Sequence, residues 1–323
     1  MNVLITGGAG FIGSNLADRL IARGDDVTVI DNLETGRIDN VNEKVNFFEG
    51  SITCKDLLSN VFNSHPPDVV VHAAASYKDP DDWEKDLYVN GIGTINLVRE
   101  CEKHDIKRLV YFQTALCYGH QPEEQPITLS HPINPDNSYA LSKTVSERVI
   151  EMTDLNYVSF RLANCYGPRN MSGPVPTFFK RLTQEQECFI SDSRRDFIFV
   201  DDLVDIVVKA IDMQGEPGHY HLASGTDYAI EDVFNILKTL LEKEGLITPV
   251  PSKYFGRFFD DVKTILLEPS KTLETFGMLP STTLDVGIPR AVEWYKTHEM
   301  SETFTHLKNI NPPEEDRLEN DGE

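Results

Sequence analysis

Tyr139 and Lys143 stand four residues apart in Ser138-Tyr139-Ala140-Leu141-Ser142-Lys143. On a helix that spacing puts both side chains on one face, one turn apart. A free phenol titrates near pH ~10 and is a poor base at neutrality. An ammonium beside it favours the phenolate, which yields a proton acceptor for a hydroxyl that is being oxidised. The spacing alone is weak, because such pairs also decorate ordinary helix surfaces. The rest of the chain has to supply the oxidant and the partner groups.

The oxidant is suggested at the N-terminus. Val3-Leu4-Ile5 reads as a short buried strand and runs straight into Thr6-Gly7-Gly8-Ala9-Gly10-Phe11-Ile12-Gly13. An amphipathic helix follows from about Ser14, with Leu16, Leu20 and Ile21 on one face and Gly24 as its stop. Such glycines allow a tight turn and close backbone approach, so a pyrophosphate can sit on the helix N-terminus. The second strand, Asp26-Val27-Thr28-Val29-Ile30, ends in Asp31, placed to bind the adenosine ribose hydroxyls. A carboxylate there repels the 2′-phosphate of NADP, so the reading is NAD. Arg37 nearby is read as a solvated loop residue rather than a phosphate ligand.

Strand and helix keep alternating. Ser51-Ile52 follow a strand over 45–50 and fall near where an adenine would lie. The apolar run Asp68-Val69-Val70-Val71-His72 is a buried parallel strand, and Ala73-Ala74-Ala75 after it are small enough to let a cofactor pass. A helix is expected over 87–103, carrying Asn90, and then a strand Leu109-Val110-Tyr111-Phe112. That strand ends at Thr114, upstream of Tyr139 and able to bond the same substrate oxygen. Repeated βα units predict an α/β fold with a doubly wound parallel sheet and ligands at the carboxyl ends of its strands.

Bulk properties narrow the class. The chain has 323 residues, 40% hydrophobic and 25% charged, ordinary for a soluble globular protein. Its formal net charge of −22 argues against nucleic acid or an anionic membrane surface as partner. No apolar run reaches the ~20 residues of a membrane span, and the N-terminal apolar stretch is too short for a signal peptide. Cys54, Cys101, Cys117, Cys165 and Cys188 are odd in number and without a C-x-x-C pair, which fits a reducing cytoplasm. Neither these nor the nine histidines show metal-ligand spacing, so no metal is expected; His219 and His221 are read as packing or surface residues.

Taken together, Thr6 to Gly13, Asp31-Asn32, His72-Ala73-Ala74, Val89-Asn90-Gly91, Thr114, Tyr139-x-x-x-Lys143, Arg161-x-x-Asn164-x-x-Gly167-Pro168-Arg169 and Arg195-Asp196-Phe197 resemble the extended short-chain dehydrogenase/reductase family, in its NAD-dependent nucleotide-sugar epimerase and dehydratase branch. The resemblance covers the chain to about Tyr295. It implies that Tyr139 is the base, that Lys143 holds the nicotinamide ribose and lowers the Tyr139 pKa, and that Thr114 completes the triad. It places NAD against Gly7, Gly10, Phe11, Ile12, Asp31, Asn32, Ser51, Ile52, Ala73, Ala74, Asn90, Tyr139 and Lys143, with Asn90 also organising the active-site helix. The substrate is expected to meet Thr114, Asn164 and Arg195, the last as a pyrophosphate clamp. Arg194, Arg257 and Lys263 are weaker candidates.

Where dehydratases of this branch carry Asp-Glu after the threonine, and decarboxylases a glutamate, this chain has Ala115 and Leu116, which move no proton. Elimination is therefore disfavoured. The expected activity is C4 epimerisation of a UDP-hexose, UDP-N-acetylhexosamine or UDP-uronate through a 4-keto sugar, for surface polysaccharide synthesis. The alternatives are a nucleotide-sugar reductase, an epimerase at another carbon acting on a GDP- or CDP-sugar, or a non-catalytic NAD-binding regulator. The implied layout is a Rossmann domain over 1–163, with segments returning near 196–226. A smaller α/β substrate lobe is built from 164–195 and 227–308, and an acidic disordered tail occupies 309–323. A cytoplasmic homodimer completes the expectation.

Overall fold

The computed structural model describes residues 1–248, 252–255, 263–300 and 303. Arg257 and the acidic tail lie outside the described residues. From the N-terminus come β1 (Asn2–Thr6), α1 (Phe11–Arg23), β2 (Asp26–Asp31), β3 (Asn46–Glu49), α2 (Lys55–Ser64) and β4 (Val69–His72). A helical stretch in three parts follows: α3 (Trp83–Asp86), a π-wound turn over Leu87–Ile92, and α4 (Gly93–Lys103). Then come β5 (Arg108–Thr114), α5 (Ser138–Glu151) and β6 (Tyr157–Leu162). The remainder is β7 (Asn164–Tyr166), α6 (Pro174–Thr183), β8 (Cys188–Ser191), β9 (Arg194–Phe199), α7 (Val200–Ile211) and β10 (Gly218–Leu222). Last are β11 (Asp227–Ala229), α8 (Ile230–Lys243), β12 (Ser252–Phe255), β13 (Thr264–Ile265), α9 (Ser270–Phe276) and α10 (Leu284–Tyr295).

Seven strands make one parallel sheet in the order β10-β6-β5-β4-β1-β2-β3. The winding reverses between β1 and β4, so a crevice opens at their carboxyl ends. Val3, Leu4 and Ile5 in β1 and Val69, Val70 and Val71 in β4 are all buried, because helices cover both faces. Leu16, Leu20, Val204, Val207 and Ile211, from α1 and α7, pack one face. Leu58, Phe62, Leu97, Cys101 and Ile150, from α2, α4 and α5, pack the other. This is the expected doubly wound α/β architecture. Phe178, Phe179, Phe234, Leu237, Ile288 and Val292 gather α6, α8 and α10 around a separate small core.

Two local features differ from the sequence reading. The helix expected over 87–103 begins four residues earlier, where the Asp82 carboxylate caps α3 by accepting from Lys85 N at 3.1 Å. It then widens into the π turn that holds Asn90 against α5. Second, β9 is not part of the return to the large sheet: it pairs with β7, β11 and β13. The return starts at α7, whose apolar stripe packs on α1. At the start of α7, Asp201 and Asp202 complement the helix dipole and also bind a neighbouring segment. Asp202 accepts from Ser281 N at 2.8 Å and Thr282 N at 2.7 Å, and Asp201 pairs with Arg290, which fastens α10 to α7.

Candidate active site

The site grows from α5. Asn137 caps this helix, its Oδ1 accepting from Ala140 N at 2.8 Å. Ser138, Ser142 and Ser146 recur every four residues and form a stripe along α5 that faces the 83–103 helix. Ser138 Oγ donates to Asp86 Oδ2 at 2.8 Å, Asn90 Nδ2 to Ser142 Oγ at 2.8 Å, and Ser146 Oγ to Asn90 O at 2.7 Å. One residue round the helix, Tyr139 and Lys143 face a cavity of about 640 Å³. The polar stripe therefore fixes the rotation of α5, and that rotation presents the base.

Asn90 is the hub of this lock. Besides Ser142, it accepts from Ser76 N at 2.7 Å and donates to Ser76 O at 3.0 Å. Its side chain is fully engaged, and it does not line the cavity. The sequence reading grouped it with cofactor ligands; the structure places it behind the wall as a support. A second chain of bonds continues inward from the same place. Thr94 Oγ1 donates to Asn90 O and stands 2.9 Å from His72 Nε2; His72 Nδ1 is 2.8 Å from Thr6 Oγ1. Because the Thr94 proton is spent on Asn90, His72 donates through Nε2 and accepts at Nδ1 from Thr6. Burial first, and then the charge of Lys143, bring His72 down to about 3, so it stays neutral.

The cavity sits over the carboxyl ends of the strands. Its lining includes Gly7, Gly10, Phe11, Ile12, Asp31, Asn32, Ser51, Ile52, Ala73 and Ala74 at one end. Thr114, Tyr139, Lys143, Asn164 and Arg195 also line it. Apart from Asn90 and the weaker candidates, every site residue expected from the sequence thus reaches one continuous space. Arg194 does not: it pairs with Asp227 at 2.6 Å. Lys263 is exposed and off the wall, and Arg37 donates to Glu299 O at 3.0 Å.

The first end fits NAD. Gly7 has φ +73°, and a Cβ there would lie 2.6 Å from Ala74 N; one on Gly13 would lie 2.3 Å from Gly7 O. Only glycine permits this compact turn, which aims the N-terminus of α1 at whatever lies in the crevice. Asp31 is 8% exposed, and its carboxylate accepts from Ala9 N at 2.9 Å and Leu33 N at 2.8 Å. Burial raises its pKa against the pull of these backbone donors. It is thus a rigid acceptor at the end of β2, suited to a pair of ribose hydroxyls.

Around the base the electrostatics depart from expectation. Lys143 Nζ lies 4.2 Å from the centre of the Tyr111 ring, and burial, opposed by Glu147, brings its pKa down to about 7. Tyr139 packs edge-on to Tyr77, ring centres 6.4 Å apart. Burial, then Tyr77 and Asp86, push its phenol above the ordinary value. The Tyr139 pKa is therefore not lowered in the protein by itself: burial dominates, and the phenol is protonated.

The structure adds residues that the sequence reading passed over. Tyr77 follows the Ala73-Ala74-Ala75 run and crosses to Thr35, which bonds its hydroxyl. Asp136 accepts His120 N at 2.7 Å and holds His120 Nδ1 at 2.5 Å, and both line the cavity. Arg181 lines it too, its guanidinium 4.7 Å from the Phe189 ring centre. Tyr77, His120 and Asp136 come from loops with no periodic signal, and Arg181 from the last turn of α6, a helix whose start at Pro174 was legible in the sequence. Ala115 and Leu116 are both on the wall and carry no titratable group.

Tertiary folding also gathers Glu147, Glu151 and His219, whose ligand atoms lie within 4.8 Å of one another. This trio is spent on contacts among its own members and with Arg161. Glu147 bonds Arg161 at 2.9 Å and His219 at 3.1 Å, and His219 reaches Glu151 at 2.7 Å. Burial works against the Glu147 charge, but the His219 bond and the Arg161 guanidinium hold its pKa down to about 2.

Residues 3–223 match the model of the NAD dependent epimerase/dehydratase family. The chain is similar in structure to the Bordetella bronchiseptica enzyme WbmH, solved in complex with NAD+, at 44% identity and TM-score 0.87 over 91% of this chain and 98% of that one. It is 39% identical to WbmG of the same organism, solved with NAD and UDP, at TM-score 0.85 over 95% and 98% of the two chains. A relative named putative UDP-glucose 4-epimerase, from Methanocaldococcus jannaschii, is 31% identical over 311 residues, 92% of this chain and 99% of that protein.

Proposed function

The chain belongs to the NAD dependent epimerase/dehydratase family, and on that premise we propose that it is a UDP-sugar 4-epimerase that works through a transient 4-keto sugar. The observation that carries this reading is the wall of the cavity. Thr114, Tyr139 and Lys143 share it with the glycine cradle, while the positions after Thr114 are Ala115 and Leu116. UDP in the WbmG complex and the name of the M. jannaschii relative support the nucleotide and the carbon.

When bound, NAD supplies the acceptor and the later donor of the C4 hydride, and its cationic ring favours the Tyr139 phenolate. The chain does the rest. Tyr139 takes the proton of the C4 hydroxyl as the sugar is oxidised and returns it once the sugar has turned over. Thr114 holds the same oxygen: Leu116 N donates to its Oγ1 at 3.2 Å, which orients the hydroxyl so that its own proton points away from the backbone. Lys143, fixed over Tyr111, holds the ribose of the cofactor. Asn164, Arg181 and Arg195 grip the diphosphate, so the nucleotide stays anchored while the sugar rotates; that remote binding energy retains the intermediate.

The physiological setting is surface polysaccharide synthesis in the cytoplasm, and the working unit is a homodimer. Tyr88 (56% exposed), Leu87, Ile92 and Val145 leave an apolar patch on the 83–103 helix and α5, which supports an interface there. The deciding experiment is incubation with UDP-glucose, UDP-N-acetylglucosamine and UDP-glucuronate without added cofactor, with NMR detection of the products. The 4-epimer of at least one is expected. No epimer from any of them, with turnover only when NAD(P)H is supplied, overturns the reading in favour of a reductase.

A further inference from the structure

Two segments flank the glycine cradle. In the sheet, β1 lies between β4 and β2; it runs into the cradle, and the chain leaves β2 and β4 on either side. The segment after β2 carries Glu34 and Thr35, and the segment after β4 carries Tyr77 and, in α3, Lys85. They join across the end of β1. Thr35 bonds the Tyr77 hydroxyl, and Lys85 Nζ pairs with Glu34 Oε1. Glu34, Thr35 and Tyr77 line the same cavity as Gly7, Gly10 and Gly13, so the join borders the crevice into which the cradle opens.

The two ends of Tyr77 touch different parts of the site. Its ring packs edge-on to Tyr139, with 6.4 Å between centres. Its hydroxyl reaches the loop seated on Asp31, where a Cβ on Gly36 would lie 2.7 Å from Asp31 Oδ1. The side chain therefore runs from the base toward the acid that suits the adenosine ribose, alongside the path a dinucleotide takes over the cradle. The two cross-loop contacts differ in worth. Lys85 and Glu34 are 38% and 35% exposed, so their pairing is screened and contributes little. Burial pushes the Tyr77 phenol above its ordinary value, against the Thr35 bond, so that bond is made away from bulk water and keeps more of its strength.

We propose that Tyr77 is a further cofactor-binding residue, and that its bond to Thr35 is the latch of a bar across the dinucleotide, so that NAD leaves only when the two segments part. Retention matters for a reaction that borrows a hydride and has to return it to the same sugar, because cofactor lost in mid-cycle strands the oxidised sugar. That advantage rests on the epimerase reading above; the latch itself needs only the cofactor.

Cofactor release, with no sugar present, tests this. Protein loaded with isotopically labelled NAD is chased with excess unlabelled NAD, and the label retained is followed by mass spectrometry after rapid desalting. Tyr77→Phe keeps the ring against Tyr139 and removes the hydroxyl; Thr35→Val keeps the shape of residue 35 and removes its side-chain hydrogen bond. Each single variant is expected to release NAD about three to ten times faster than wild type, the equivalent of one net hydrogen bond. The double variant is no faster than the faster single one, because both changes remove the same bond. Lys85→Ala, which opens only the exposed pair, stays within about twofold of wild type. If one variant does not fold, the other is compared with Lys85→Ala alone. Acceleration below about threefold in a folded Tyr77→Phe or Thr35→Val, a double variant faster than either single one, or acceleration beyond about twofold in Lys85→Ala, each overturns the latch. Failure of the epimerase reading shows elsewhere, as UDP-sugars left unchanged, and does not alter these rates.

Discussion

Tyr139 is the residue on which the chemistry turns, and its environment is more demanding than its spacing suggests. Burial holds the phenol protonated, so charge from Lys143 alone does not make it a base. Tyr139→Phe removes the proton carrier without disturbing the serine stripe of α5. Turnover should fall by about 10²–10⁴-fold, measured as 4-epimer formed from the accepted UDP-sugar, while the NAD released on denaturation stays at wild-type content. Residual activity near wild type would remove Tyr139 from the role. At the other end of the cavity, Gly7→Ala places a methyl group 2.6 Å from Ala74 N at a φ of +73°. The backbone has to shift, and the variant should be purified with little or no bound NAD.

At the scale of elements, α5 is held by two buried polar systems, one on each side. Toward the 83–103 helix stands the ladder of Asp86, Asn90 and the three serines. Toward β6 stand Glu147 and Arg161, with Arg161 Nη1 donating to Tyr118 Oη at 2.9 Å and Tyr118 donating to His221 Nε2 at 2.6 Å. Glu147→Gln leaves Arg161 as a buried charge without its counter-ion, and denaturant unfolding should show a loss of about 3–5 kcal/mol. Asn90→Leu should cost the catalytic helix its orientation. Activity is expected to fall further than stability accounts for, even though residue 90 touches neither NAD nor sugar. A variant with full kcat would refute the positioning role.

At the scale of the molecule, two buried neutral histidines set an acid limit. Burial brings His72 down to about 3 and His221 down to about 4, both below the ~6.5 of an unfolded histidine. The unfolded chain therefore binds more protons than the folded one between about pH 6.5 and those values, and stability falls as pH falls through that window. The thermal unfolding midpoint should drop between about pH 7 and about pH 5; a midpoint flat across that range would contradict the neutral assignment. The apolar patch of Leu87, Tyr88, Ile92 and Val145 belongs to this scale as well. Tyr88→Asp should turn a dimer into a monomer by light scattering, and a wild-type protein that is already monomeric would remove the interface.

The sequence by itself determined the doubly wound sheet, the glycine cradle, Asp31 and the Tyr139–Lys143 pair. Each of these is written in local order: short apolar strands, turn residues at fixed offsets, and a helical spacing of four. Tertiary structure alone decided what surrounds them. It put Asn90 behind the wall instead of on it, because a π turn swings its amide onto Ser76 and Ser142. It moved β9 into the small sheet, since its partners there, β7, β11 and β13, come from chain segments on both sides of it. It also raised the Tyr139 pKa, because desolvation depends on everything packed around a group and not on the one charge next to it in sequence. Asp86 shows the same limit: an ordinary helix acid on paper, it becomes a buried carboxylate bonded to Ser138 only when α3 and α5 meet.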